Sequence, residues 1–107
     1  MNMEMKEAAR CLEKLGNPTR LSIFRLLVRA GNDGLPVGAV QDNLGVPAST
    51  LSHHISHLVN AGLVKQTRQG RVLRCTANYD MMDSLVAFLS DQCCLSRDHQ
   101  IEEKIAS

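Results

Sequence analysis

Aromatic side chains are nearly missing: the 107 residues include one Tyr, two Phe and no Trp. A core must then be built from the plentiful Leu, Val and Ala, which points to a mostly helical one. No apolar run approaches the ~20 residues that cross a bilayer. The start, Met1-Asn2-Met3-Glu4-Met5-Lys6-Glu7, lacks the apolar region of an export signal. No membrane partner is expected, and a cytoplasmic location is. Net charge is only +1, which argues against binding nucleic acid by bulk charge alone. No Lys or Arg lies between Gly31 and Val64. There is no phosphate-binding loop and no pair of carboxylates for acid–base work, so an enzyme is not expected. Repeats, linkers and low-complexity tracts are absent. Residues 1–107 read as one domain, with 97–107 a charged, partly ordered helical tail.

What is present centres on residues 46–75. Leu51, Ile55, Leu58 and Val59 recur at one helix face. The opposite face carries Ser49, Thr50, Ser52, His53, Ser56 and His57, all short or planar hydrogen-bonding groups. Gly62 suits a helix C-cap. Two β-type runs follow, 63–67 and 72–75, around a basic tip Arg68-Gln69-Gly70-Arg71. A helix with a polar reading face, followed by a basic hairpin, is what a winged helix-turn-helix needs to hold a duplex.

The remaining segments fit around that unit. Residues 3–15 form a first helix with an apolar stripe of Met5, Ala8, Leu12 and Leu15, and with Cys11 at its edge. Asn17 caps a second helix that has Pro18 at its first position. Leu21, Ile23, Phe24, Leu26, Leu27 and Val28 make that helix broadly buried. Gly31-Asn32-Asp33-Gly34 is a loop. A short helix over 37–44 and the turn Gly45-Val46-Pro47 complete the helix-turn-helix. A last helix, capped by Asn78 or Asp80, presents Met82, Leu85, Val86, Leu89 and Cys93. With the core already filled, that face is expected to pair with another chain.

Three stretches in this order resemble the ArsR/SmtB family of winged-helix regulators. They are Leu15-Gly16-Asn17-Pro18-Thr19-Arg20-Leu21-Ser22-Ile23-Phe24-Arg25-Leu26-Leu27, Ser49-Thr50-Leu51-Ser52-His53-His54-Ile55-Ser56-His57-Leu58, and Ala61-Gly62-Leu63-Val64 with Arg68-Gln69-Gly70-Arg71. The resemblance implies a mainly α fold with a small β-hairpin, dimerising through its first and last helices. It also implies an effector-released repressor. Two reading helices about 34–36 Å apart would then meet an inverted-repeat operator in double-stranded DNA.

Ser49, Thr50, Ser52 and Ser56 can each donate to a phosphate or a base edge. His53 and His54 can donate or accept, Gln41 on the preceding helix is placed for the backbone, and Arg68 and Arg71 for phosphates or a minor groove. His53 and His57 are also i, i+4 on one helix, a spacing that metals use; with this fold, DNA contact is the preferred reading. For Lys65 and Arg74, a solvated strand and DNA contact stay level.

Four cysteines occur, at 11, 75, 93 and 94. In a reducing cytosol these are thiols, ligands or sensors rather than bridges. Adjacent residues point about 100° apart on a helix, so Cys93 and Cys94 are unusual as a core pair. Their Cα atoms, ~3.8 Å apart, fall below the ~4.4 Å lower limit for ordinary disulfides. A metalloid held between the two sulfurs relieves that constraint. The resemblance adds that some arsenical-responsive members carry such a pair at the end of the last helix, here Leu89-Ser90-Asp91-Gln92-Cys93-Cys94. Another arsenic site of the family, at the third helix, has no cysteine here, and the zinc pattern retains only Asp83 and His99. The expected effector is trivalent arsenic, as arsenite or methylarsenite, or antimony. Cys11 from the partner chain is a possible third ligand, and Cys75 reads as structural. Two sulfurs suit methylarsenite and three suit arsenite. Other readings are a thiol-redox or persulfide sensor pairing Cys11 with Cys93, a Cys–His enzyme, and a winged helix used only for protein contacts.

Overall fold

The computed structural model describes residues 3–91. In chain order it contains α1 (Met5–Leu15), α2 (Pro18–Ala30), β1 (Leu35–Pro36), α3 (Val37–Leu44), α4 (Ala48–Asn60), β2 (Val64–Gln69), β3 (Val72–Ala77) and α5 (Tyr79–Leu89). The strands form an antiparallel sheet in the order β1-β3-β2. This is a winged helix-turn-helix, as expected, but with a three-stranded sheet in place of a lone hairpin.

Local chemistry sets most boundaries. The Asn17 side chain accepts from the backbone N–H of Thr19 at 2.9 Å and of Arg20 at 3.1 Å, satisfying two orphan donors at the start of α2. α4 ends in a Schellman motif. Ala61 is its cap and Gly62, at φ +79°, is the left-handed residue one place beyond. Gly62 N–H donates to Val59 O and Leu63 N–H to Leu58 O. Asn78 joins three segments: its side chain caps α5 at Met81 N–H and donates to Gly62 O, and its backbone N–H donates to Leu63 O.

The core packs Ile23, Phe24 and Leu27 of α2 against Val40 of α3 and against Leu51, Ile55 and Leu58 of α4, with Leu63, Val64, Cys75 and Ala77 from the sheet side. Each large aliphatic buried there contributes about 1.5–3 kcal/mol. α4 is therefore seated firmly on its apolar face, which leaves the opposite face free. Leu21, expected to be buried, is instead 43 % exposed, because the core takes the arc through Ile23, Phe24 and Leu27.

α1 and α5 also bury different arcs from those expected. Ala8 and Cys11 are the buried residues of α1, whereas Met5 and Leu12 are 71 % and 44 % exposed. The core-facing arc is rotated toward Cys11, which therefore lies inside and not at an edge. On α5, Leu85 is buried in the chain's own core and Met82 half-buried, whereas Val86 and Leu89 are each 58 % exposed. So α5 does cover this core, and only one arc of its apolar face is left open. α1 packs against α5, so each of these neighbouring helices carries one inward and one outward apolar arc.

Candidate nucleic-acid interface

α3, the turn at 45–47 and α4 form the helix-turn-helix. Gly45 at φ +66° ends α3, its N–H donating to Gln41 O. Ser49, Thr50, Ser52, His53 and Ser56 of α4 are all exposed, and Gln41 on α3 is half-exposed. The Ser56 hydroxyl donates back to His53 O at 3.0 Å, leaving its oxygen as an acceptor. Pro47 gives α4 no side-chain cap, so its first-turn N–H groups and the positive end of its dipole are open to an anion.

The wing brings basic charge beside this face. Strand pairing runs to Gln69↔Val72, so the loop is only Gly70-Arg71, with Gly70 at φ +63°. Arg68 lies within β2, not at the tip. Directly paired residues share a face of the sheet. Arg68↔Leu73 and Gln66↔Cys75 thus belong with Val64↔Ala77, the pair buried in the core. That places Arg68 on the helix-bearing side. Lys65 and Arg74 lie on the other side. Arg74 is also engaged: Nη1 donates to Asp33 O at 3.0 Å and Nε to Gln69 Oε1 at 3.2 Å, tying the 31–34 loop to the wing.

The three histidines of α4 separate. His53 is exposed, while His54 and His57 are half-buried. His54 Nδ1 is shielded from solvent with no hydrogen-bond partner among the described residues. His57 Nδ1 lies 3.1 Å from Lys14 Nζ of α1, and His57 Nε2 lies 3.2 Å from His53 Nε2. Lys14 is 43 residues away in sequence, so no local pattern announces this contact. Burial first, then Lys14, His53, Arg20 and His54, push His57 below the usual imidazole value of 6.5. Burial, then Arg20 and His53, do the same for His54. The unfolded chain then binds protons that the fold refuses. Stability is expected to be full above the unfolded value of 6.5 and to be lost as pH falls from there through the lowered folded values. Thermal melts at pH 7.5 and 5.5 should show a lower midpoint at pH 5.5, and His54→Gln should reduce the difference.

The cysteines divide between inside and outside the described residues. Cys11 Sγ is buried and contacts Ala61 O at 3.8 Å. Burial, then Glu7, raise its pKa, with Arg10 opposing. Cys75 is buried too, and burial raises it against the bond from Gln66 Nε2. Both are free thiols. Cys93, Cys94 and the expected tail at 97–107 lie outside the described residues. Among the described residues, no group of three or more Cys, His, Asp or Glu side chains is placed to hold a metal. Among them, too, no helix is long and apolar enough to cross a membrane.

A polar helix face in a helix-turn-helix, flanked by a basic wing, defines a DNA-binding winged-helix protein. A family model described as a helix-turn-helix domain matches residues 15–67. An uncharacterized HTH-type transcriptional regulator of Methanocaldococcus jannaschii is 40% identical over 65 residues, covering 61% of this chain and 71% of that protein. The HTH-type transcriptional regulator NmtR of Mycobacterium tuberculosis is 33% identical over 93 residues, covering 87% and 72%. The solution structure of the homodimeric winged helix-turn-helix DNA-binding domain of Mb0332 from Mycobacterium bovis, described as a possible ArsR-family regulator, superposes with a TM-score of 0.66 at 26% identity, covering 87% and 85%. The chain belongs to the ArsR/SmtB family of DNA-binding transcriptional regulators. Its relatives are regulators, not enzymes.

Proposed function

We propose that the chain is a homodimeric cytoplasmic repressor that holds an inverted-repeat operator through α4 and the wing. It lets go when Cys93 and Cys94 capture trivalent arsenic, as arsenite or methylarsenite, or antimony. The observation that carries the DNA half is the exposed face of Ser49, Thr50, Ser52, His53 and Ser56 with Arg68 on the same side of the wing. These short hydroxyls need close docking in a major groove, and Gln41, Arg68 and Arg71 supply backbone contacts at its margins. His54 belongs to this contact set less directly, since its ring is half-buried.

The open apolar arcs of α1 and α5 support pairing through those helices. Met5, Leu12, Val86 and Leu89 are large apolar groups left in water on two helices that touch, which is the usual mark of a protein contact. The effector half rests on the sequence: Cys93-Cys94 follows the last residue of α5 by four positions. The two other thiols are sealed and raised in pKa, and the thiolate is what binds a soft ion. For Cys11 to act as a third ligand, its thiol would have to leave the core. Its burial therefore favours a two-sulfur site, which suits methylarsenite better than arsenite, and it disfavours redox pairing of Cys11 with Cys93.

The test is a mobility-shift titration of the reduced protein on an inverted-repeat duplex selected from a random pool. Methylarsenite or phenylarsine oxide is expected to weaken binding several-fold to about a hundredfold, a coupling of ~1–3 kcal/mol. Release that persists in the Cys93→Ser, Cys94→Ser double variant would end the effector proposal.

A further inference from the structure

We propose that Lys14 and His57 are positioning residues that fix the tautomer of His53, so that its Nδ1–H is the donor offered to an acceptor on the duplex. The inference rests on the reading above that the outer face of α4 meets DNA.

A lysine ammonium has donors only. At 3.1 Å from Lys14 Nζ, His57 Nδ1 must therefore accept. His57 is then neutral, with its single proton on Nε2. That Nε2 lies 3.2 Å from His53 Nε2, so His57 donates and His53 accepts. Neutral His53 is left with its proton on Nδ1. The tautomer of one ring is thus set by the bond its other nitrogen makes, in two steps, beginning on α1 and ending on the exposed face of α4.

The surroundings hold this chain in one state. The two rings pack edge to face with centroids 4.6 Å apart. Lys14 and Arg20, from the two N-terminal helices, and His53 and His54, on α4 itself, are the charged or titratable groups facing His57, and they disfavour a second positive charge there. Arg20 Nε, on α2, donates to Lys14 O at 2.7 Å, tying the end of α1 to α2. His53 Nδ1 has no partner among the described residues. A directed N–H on an exposed helix face can meet either a phosphate oxygen or a base-edge acceptor such as the O6 or N7 of guanine. A base contact should lose affinity only on the selected sequence when His53 is disturbed. A phosphate contact should lose it on all sequences alike.

The experiment reads the tautomers in the free, full-length protein by long-range ¹H–¹⁵N spectra at pH 7.5. His57 is expected as the Nε2–H form and His53 as the Nδ1–H form. Lys14→Met should return both rings toward a mixture, and Lys14→Arg, which keeps a donor, should restore them. His57→Phe keeps Lys14's charge and a ring at 57, yet should also release His53. On the selected duplex, Lys14→Met and His57→Phe should each weaken binding about two- to tenfold, the worth of one hydrogen bond, and Lys14→Arg should recover it. An Nδ1–H tautomer at His57 overturns the relay, even if DNA binding is intact. So does an unchanged His53 tautomer in both variants. Tautomers as stated, in a wild-type protein that binds no DNA, overturn the reading of α4 and with it the role of His53.

Discussion

Replacing Arg68 and Arg71 together with Ala is expected to reduce operator affinity by about 10²–10³-fold near 0.1 M salt. It should also flatten the salt dependence. Each cation that meets a phosphate releases counterions, giving a slope of about −0.9 per contact in log affinity against log salt. Two residues in each of two protomers would remove a slope of about 3.6 if all four make such contacts. The wing assigns these residues and not their neighbours. Arg68 shares the sheet face of the buried pair Val64↔Ala77, and Arg71 sits in the two-residue loop. Lys65 and Arg74 lie on the far face, and Arg74 already holds Asp33 O and Gln69 Oε1. Lys65→Ala should therefore leave the slope nearly unchanged. Fluorescence anisotropy over a salt series separates the cases. Equal slopes for the wild type and the Arg68/Arg71 variant would show that the wing does not touch the duplex.

Gly34→Ala is expected to be the most damaging small substitution in the described residues, lowering stability by about 3 kcal/mol or more. Two effects add. Gly34 sits at φ +62°, where an L side chain is strained. An added Cβ would also fall 2.0 Å from Cys75 O and 2.9 Å from Cys75 C, both backbone atoms of β3. Relief requires separating β1 from β3, which undoes the Leu35↔Cys75 and Pro36↔Arg74 pairs. Gly45 is the control: its φ of +66° is similar, but nothing lies within 4 Å of a built Cβ. Gly45→Ala should show the backbone strain alone, about 1–2 kcal/mol. In thermal melts the Gly34 variant should fall by about 10–20 °C. Equal losses at the two positions would mean that the β1–β3 approach is not what limits residue 34.

Those two sites also mark what the residues reveal on their own. The Asn17-Pro18 cap, the α4 periodicity and the hairpin depend on neighbours in sequence, and each was legible there. β1 was not. It is two residues long, includes a proline, and is defined only by pairing with Arg74 and Cys75 far along the chain. The stripes of α1 and α5 were legible as apolar but not as two arcs. A helix that faces its own core on one side and carries open apolar groups beside it shows one broad stripe in sequence. The serines and histidines of α4 read alike as a polar face. Only the approach of Lys14 distinguishes the exposed His53 from the tethered His57. Cys11 looked available at a helix edge, and the rotation of α1 puts it against Ala61 instead.

The claim that two copies of α4 and the wing grip one duplex is tested most directly by hydroxyl-radical footprinting on the selected operator. The expected pattern is two protected patches of opposite sense, centred about 34–36 Å apart, one helical turn. Both patches should fade together in the Arg68/Arg71 variant. A single patch, or protection that survives loss of both arginines, would contradict the account.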